Sequence, residues 1–495
     1  MPRLAVENIR SDSVGFHSDS GQIRVFSYDR AAVTPGIVHL GIGAFHRAHM
    51  AVYIDDILAQ NPGWGIIGAS LRRPGTREAL APQDFLYTLA VRDASGTRCR
   101  IVGSVLDVLD ANMQRRQLLD IMAHSSIRIV SLTVTEKGYC HDPATGELDT
   151  GHPDIRHDLD HPGDPVSAPG IIVQAIEMRR KSGVVPFAVM SCDNLPSNGE
   201  TTRRIVTRFA ELYDPQLAGY IAKNVAFPGT MVDRIVPATT DADRQMVKEI
   251  AGLDDAWPVV TEPFTQWVIE DRFPQGRPPF EAVGAQMVSD VEPFERMKLR
   301  MLNGSHSTMA YLGYLAGYQY VSEAIADPVI HKLVHGLMTE EVMPVLPMPR
   351  ADLERYRDQL LERFANPALK HRTWQIAMDG SQKLPQRLLG TVRDRLAKGQ
   401  GIQRLALGVA AWMRYVTGIG EKGDPIEVRD PLAARLGEIA EASGRDASRL
   451  ASAFLCVSEV FGTDLPANAA FRDTVTGHLE SLLAKGALET ARAVG

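Results

Sequence analysis

The segment Met297-Lys298-Leu299-Arg300-Met301-Leu302-Asn303-Gly304-Ser305-His306 sets a lysine, an asparagine and a histidine in an otherwise apolar run, at spacings of five and three residues. On a helix at about 100° per residue, Lys298, Leu302, Asn303 and His306 fan across one broad side. Burial lowers a lysine pKa from its reference of about 10.4, which turns an ammonium into a usable base. Taking a proton from an alcohol without a metal needs such a base. The plainer alternative is that Lys298 reaches to water, Asn303-Gly304 ends one helix, and His306 is a satisfied core histidine. By themselves the three residues name no reaction.

Elements must hold that segment in place. At 495 residues the chain is long for one core, so two large domains are expected. Short β-branched runs at 36–41, 65–71, 127–134 and 186–192 alternate with helix-like patterns. Their continuous apolarity points to strands covered on both faces, hence a largely parallel α/β sheet. Residues 1–35 are polar and turn-rich and read as an arm, and the polar stretch 140–170 reads as a surface excursion. After about residue 290 strand signals nearly vanish, and helical patterns run over 294–320, 327–343, 352–364, 384–396, 402–417, 430–442 and 446–461. The expected organisation is an α/β, Rossmann-type NAD(P)-binding domain over 1–290 and a mostly α-helical substrate domain over 291–495.

Composition narrows the class. A hydrophobic share of 44%, a charged share of 23% and a net charge of −7 fit a soluble protein and argue against a nucleic-acid binder. No uncharged apolar run reaches about 18 residues and the first residues lack a leader pattern, so no membrane association is expected. Cys99, Cys140, Cys192 and Cys456 are scattered, which fits free thiols in a reducing cytoplasm. His152, His157 and His161 lie among aspartates, but without a cysteine cluster or a clear third ligand no metal is expected there.

The first strand runs into Leu40-Gly41-Ile42-Gly43-Ala44-Phe45-His46, followed by an apolar helical pattern. A Gly-x-Gly turn between strand and helix lets the backbone approach a pyrophosphate at a helix start, which assigns Gly41, Gly43, Ala44, Phe45 and His46 to a dinucleotide. The third fingerprint position holds His46 in place of Gly or Ala, so the motif is incomplete. The second strand ends in Ser70-Leu71-Arg72-Arg73 with no carboxylate for a ribose hydroxyl. An arginine there would accept a 2′-phosphate, so Arg72 alone leans toward NADP; the alternatives are a solvated loop or an adenine or pyrophosphate contact.

Five motifs in order resemble the polyol-specific long-chain dehydrogenase/reductase (mannitol dehydrogenase) family over nearly the whole chain. They are Gly41-Ile-Gly-Ala-Phe-His-Arg-Ala-His49, Thr133-Val-Thr-Glu-Lys-Gly-Tyr139, Ser191-Cys-Asp-Asn194, Phe227-Pro-Gly-Thr-Met-Val-Asp-Arg-Ile235 and Lys298-Leu-Arg-Met-Leu-Asn-Gly-Ser-His306. The resemblance implies a zinc-independent enzyme that interconverts a secondary alcohol and a ketone with NAD, NADP remaining possible. It implies Lys298 as general base, Asn194 and Asn303 as the amides holding the reacting oxygen, and His306 as positioning substrate and lysine. It further implies Asp233 as a contact to substrate hydroxyls, Glu295 as a proton relay and Glu136 as a residue near cofactor or base.

Within the family, Lys137, Arg300 and the stretch His371-Arg-Thr-Trp-Gln-Ile-Ala-Met-Asp-Gly-Ser-Gln-Lys-Leu-Pro-Gln-Arg387 are more similar to the D-mannonate oxidoreductase (fructuronate reductase) branch. Gln375 stands where mannitol-type members carry an arginine, while Lys383 remains. A hexonate carboxylate favours cationic partners, for which Lys137, Arg300, Arg372 and Lys383 are candidates, although some cations must serve structural salt bridges. The expectation is a cytoplasmic NAD-linked enzyme interconverting D-mannonate and D-fructuronate, as a monomer or weak oligomer whose partner is a small sugar acid or polyol. A mannitol 2-dehydrogenase or related polyol dehydrogenase is the alternative, and a non-catalytic dinucleotide sensor is the alternative from another class.

Overall fold

The apolar runs of the first half form strands of one sheet in the computed structural model, which describes residues 1–9, 23–142 and 145–495. They are β1 (Pro35–Leu40), β2 (Gly65–Ser70), β4 (Ile129–Leu132) and β5 (Ala188–Ser191), completed by β3 (Val105–Asp110). The order is β3-β2-β1-β4-β5 and every pairing is parallel. β2, β4 and β5 are buried along their whole length, and β1 apart from Pro35.

Both faces of the sheet are covered, as the continuous apolarity required. Val38, Leu40, Ile67, Val130, Leu132 and Val189 share a core with Leu118, Leu119, Ile171, Ile172, Ile205 and Phe209 of the helices Arg115–Ala123, Ala168–Lys181 and Asn198–Tyr213. Their neighbours Ile37, Ile66, Ile129 and Met190 pack the other way, against Ile54 and Ile57 of the helix Met50–Ile57 and against Trp64, Trp267 and Phe280. Each such side chain stabilises the fold by about 1.5–3 kcal/mol. The strand order reverses between β1 and β4, which opens a crevice at their carboxyl ends where a doubly wound sheet binds its ligand.

The edge strand β3 is absent from the sequence expectation because Asp107 and Asp110 interrupt its apolar run. So are two small mixed sheets, one built on the hairpin Tyr87–Asp93/Gly96–Val102 and the other on Gln266–Glu270 between Thr230–Asp233 and Gln286–Val288. The expected arm over 1–35 is pinned where it is described. Leu4 is fully buried with Ile23 and Ile101, and its N–H donates to the Asp254 carbonyl at 2.9 Å. Residues 10–22 lie outside the described residues. The stretch 140–170 is more than a surface excursion, since it sends Leu148 and Ile155 into the core.

The chain divides into two compact units, Met1–Glu292 and Pro293–Gly495. The second is helical. Gly304–Leu315 is buried at every residue except Tyr314, and Leu405 to Tyr415 of the helix Gln403–Tyr415 are all buried, as befits helices apolar all round. The helix Ala469–Lys485 packs on Gln403–Tyr415 through Phe471, Val475, Leu479 and Leu482. That helix and Ala487–Val494 lie beyond the last run expected from the sequence. Among the described residues no helix is long and apolar enough to cross a membrane, and all four cysteines are free.

Candidate active site

In the first unit the turn after β1 is shaped to bring backbone close to a ligand. Gly41 has φ +91°, and a Cβ there would lie 2.3 Å from the Thr133 carbonyl oxygen, so only glycine fits. At Gly43 a Cβ would meet nothing nearer than 3.9 Å, so space is open over the turn just where the helix Ala44–Ala48 starts. The amides of that first turn have no intrahelical carbonyl, and Ala44 and Phe45 lie there half-buried. This open cradle fits a dinucleotide pyrophosphate.

The missing third glycine has a physical explanation. His46 is fully buried and its ring stacks on His39 with centroids 3.5 Å apart, so two flat rings achieve the close helix–strand packing. The Thr133 hydroxyl donates to the Gly41 carbonyl at 2.7 Å, which leaves its oxygen to accept from His39 Nε2 at 2.8 Å. His39 Nδ1 then accepts from the Ser131 hydroxyl at 2.8 Å, and the ring is neutral. Burial pushes His39 down to about 3 and His46 well below the ordinary histidine value, neighbouring His39 and Arg47 adding to the effect on His46.

These depressed values set an acid limit on stability. A histidine neutral in the fold and titrating near 6.5 when unfolded stabilises fully above that pH, and the contribution is lost as pH falls below it. His39 and His46 should each cost about 1.4 kcal/mol per pH unit below pH ~6.5. Scanning calorimetry between pH 7.5 and 5 should show Tm falling steadily, and a flat Tm would count against neutral burial of this pair.

The loops after β4 and β5 are locked together by Asp193, which sequence reasoning passed over. Its carboxylate accepts the Val134 and Thr135 amides, each at 3.0 Å, and the Tyr139 hydroxyl at 2.8 Å. Thr135 is held at φ +63°, and Glu136 and Lys137 sit exposed on the short helix Thr135–Gly138. Asn194, the next residue, is exposed as well. Asn198 donates to the Asp193 carbonyl at 3.1 Å and the Thr230 carbonyl at 2.9 Å, tying the same loop to the strand Thr230–Asp233, whose end residue Asp233 is buried. Asp193's partners lie 54 to 59 residues away in sequence, so no local spacing marks it. Asp193→Asn turns an amide N–H toward donors and should destabilise by about 2–4 kcal/mol. A Tm within 2 °C of wild type, on the order of a ΔΔG too small for that loss, would refute the clamp.

At the end of β2, Arg72 Nη2 lies 3.0 Å from Asp154 Oδ2. Asp154 also belongs to the one group of possible metal ligands among the described residues, Cys140, His152 and Asp154, whose donor atoms lie within 4.8 Å of one another. The Arg72 guanidinium already occupies the carboxylate's cationic partner position. His157 and His161 stack with centroids 4.9 Å apart, and His157 Nδ1 meets Asp158 Oδ1 at 3.1 Å.

In the second unit the lysine segment is not a plain α-helix. Glu292–Met297 is α-helical, Lys298–Asn303 is a π-helical turn, and α-helix resumes at Gly304. The Gly304 N–H reaches the Leu299 carbonyl, five residues back. Wider winding brings a residue over its fifth neighbour, so Lys298 and Asn303, at the two edges of that broad side on an α-helix, are drawn closer together. Lys298 is buried, Asn303 half-buried, and Glu295 half-buried one turn earlier.

His306 is buried, with its ring 4.9 Å from Phe364 and 5.0 Å from His371, edge to face. Among the described residues its Nε2 meets no hydrogen-bond partner. Burial, then the charges of His371, Arg387, Arg363 and Lys383, hold its pKa well below the ordinary value, so the ring is neutral. A second π-helical turn, Pro385–Leu389, packs against Lys298–Asn303. From it Arg387 Nη1 reaches Ser307 Oγ at 3.1 Å, beside His306.

The other candidates separate. Arg300 Nη1 lies 2.6 Å from Asp394 Oδ2, so its charge is already compensated. Arg372 is exposed, its guanidinium 5.6 Å over the Tyr320 ring, and Gln375 is exposed too. Lys383 Nζ donates to the Met378 carbonyl at 2.5 Å. Arg363 and Arg387 were not singled out from sequence, where nothing distinguishes them from surface arginines.

Comparison with known proteins decides the family. Residues 35–282 match the mannitol dehydrogenase Rossmann domain and residues 290–483 the mannitol dehydrogenase C-terminal domain. The chain belongs to the mannitol dehydrogenase family. It is an oxidoreductase of the kind that acts on a CH–OH group. It is 48% identical over 475 residues to the D-mannonate oxidoreductase of Escherichia coli (strain K12), covering 94% of this chain and 97% of that one. To the mannitol 2-dehydrogenase of Aspergillus fumigatus (strain Af293) it is 42% identical over 479 residues, covering 94% and 95%. The structure of Pseudomonas fluorescens mannitol 2-dehydrogenase in ternary complex with NAD and D-mannitol aligns with a TM-score of 0.86 at 39% identity, covering 99% of each chain.

Proposed function

We propose that this family member is an NAD-dependent oxidoreductase interconverting D-mannonate and D-fructuronate, with Lys298 as a metal-independent general base. The observation that carries the hexonate reading is Arg387, whose guanidinium reaches Ser307 Oγ at 3.1 Å beside His306. A sugar-acid carboxylate offers a guanidinium there a charge-assisted hydrogen bond that a mannitol-type polyol does not. Identity to a D-mannonate oxidoreductase supports the same reading.

The bound dinucleotide supplies a hydride acceptor or donor. The chain's own residues manage the proton and the oxygen. Lys298 takes the hydroxyl proton in oxidation and returns it in reduction. Asn303, on the same face of the π-helical turn, donates its amide to the reacting oxygen as alkoxide character develops. Neutral His306 adds no positive charge against the Lys298 ammonium and positions a substrate hydroxyl. Glu295, one turn before Lys298, carries the proton onward. For Asn194, Asp233 and Glu136, on the first unit, roles toward oxygen, substrate hydroxyls and cofactor rest on the family motifs they match.

With NADH, kcat/KM on fructuronate should exceed that on fructose by about 10²-fold, the worth of one or two charge-assisted hydrogen bonds. Arg387→Ala should lower the fructuronate value by about 10–100-fold and leave fructose nearly unchanged. A higher kcat/KM on fructose would replace this reading with the polyol one, which the mannitol 2-dehydrogenase relatives favour.

A further inference from the structure

We propose that the Arg72–Asp154 ion pair at the end of β2 discriminates between dinucleotides, admitting a free ribose 2′-hydroxyl and disfavouring a 2′-phosphate. The inference rests on the dinucleotide reading of the Gly41–Gly43 turn. In a doubly wound sheet the end of the second strand is where the 2′ position is tested, by an acidic residue for a hydroxyl or by an arginine for a phosphate. Here Ser70-Leu71-Arg72-Arg73 offers only arginines, which by itself selects the phosphate.

The fold supplies the carboxylate from elsewhere. Asp154 comes from the polar stretch 140–170, more than 80 residues on from Arg72, and meets its guanidinium at 3.0 Å. The two side chains differ in freedom, Arg72 being 68% exposed and Asp154 only 25%. Asp154 is fixed in the first turn of the helix Pro153–Asp160, where the helix dipole favours an anion, and its own N–H donates to His152 Nδ1 at 3.2 Å. His152 and Cys140 close around it, their donor atoms and the carboxylate lying within 4.8 Å of one another.

Two consequences follow for a ligand at this strand end. Asp154 cancels one of the two positive charges of Arg72 and Arg73, so the attraction for a phosphate dianion is halved before contact. The carboxylate also remains an acceptor for a hydroxyl while repelling phosphate oxygens, and like charges set together are a strong means of rejection. Asp154 thus replaces, through space, the acidic residue that the strand lacks in sequence.

The test needs no turnover. Dissociation constants of ADP-ribose and of 2′-phospho-ADP-ribose are measured by calorimetry for the wild type, Asp154→Asn, Arg72→Gln and the double variant. The wild type should prefer ADP-ribose by about tenfold or more, and Asp154→Asn should erode that preference by about tenfold through tighter binding of the phosphorylated ligand. The double variant should lose this gain, because Arg72 is then missing. Arg72→Gln, which keeps the clustered carboxylate, should weaken the phosphorylated ligand about fivefold further while ADP-ribose changes less than about threefold. A ligand ratio within twofold of wild type in Asp154→Asn overturns the proposal. If that variant does not fold, unchanged affinity for the phosphorylated ligand in Arg72→Gln overturns it. Wild-type protein that binds neither ligand would instead refute the dinucleotide reading itself.

Discussion

Lys298→Ala should lower kcat for alcohol oxidation by about 10²–10⁴-fold, the usual worth of a positioned general base. Dinucleotide affinity should change by less than about twofold, because the proposed pyrophosphate cradle is built from Gly41 and Gly43, which the substitution leaves unchanged. Lys298 is buried at the first position of a π-helical turn whose last residue is Asn303. Alanine is compatible with that helical backbone and removes the proton acceptor. Lys298→Arg separates charge from basicity, since guanidinium keeps the cation but does not deprotonate in a protein. It should be as inactive as alanine. Steady-state rates and fluorescence titration of NADH read the two quantities separately. Turnover within tenfold of wild type in either variant would remove Lys298 from the mechanism.

The sheet was legible because covered parallel strands leave a one-dimensional signal. The runs around Val38, Ile67, Val130 and Val189 are apolar without alternation, and all four became neighbouring strands. β3 escaped because an edge strand keeps its aspartates, one of them engaged with Arg77. The helix Ala469–Lys485 had its apolar stripe at Phe471, Val475, Leu479 and Leu482 and was passed over among polar neighbours. At the site, residue types were readable but winding and charge partners were not. Nothing in the apolar period around Lys298 announces a π-helical turn, and the turn Pro385–Leu389 that packs against it lies more than 80 residues on. Likewise Arg300 looked like a carboxylate receptor until Asp394 was found beside it, and Arg72 looked like a phosphate receptor until Asp154 was.

Gly304→Ala should lower kcat/KM by about 10–100-fold with only a modest loss of stability, because it pushes apart the two π-helical turns that carry Lys298 and Arg387. Gly304 has φ −65° and ψ −48°, so its backbone asks for no glycine. Helix propensity alone would favour alanine there by about 1 kcal/mol. The neighbouring chain decides otherwise. A Cβ at Gly304 would lie 2.8 Å from the Arg387 carbonyl oxygen, a backbone atom that cannot swing aside as a side-chain tip could. Overpacking of that kind costs about 1–3 kcal/mol, which offsets the propensity gain and leaves a net loss of about 0–2 kcal/mol. Relief requires the turns to part by a few tenths of an ångström, and displacement on that scale is felt by a base that must meet its proton at hydrogen-bonding distance. Gly437→Ala is the matched control, since Gly437 lies in the helix Ala433–Ser443 and a Cβ there meets nothing within 4 Å. It should raise stability by up to about 1 kcal/mol and leave kcat/KM unchanged. Should Gly304→Ala behave like that control, with a raised Tm and wild-type kcat/KM, the contact between the two π-helical turns would have no part in setting the lysine.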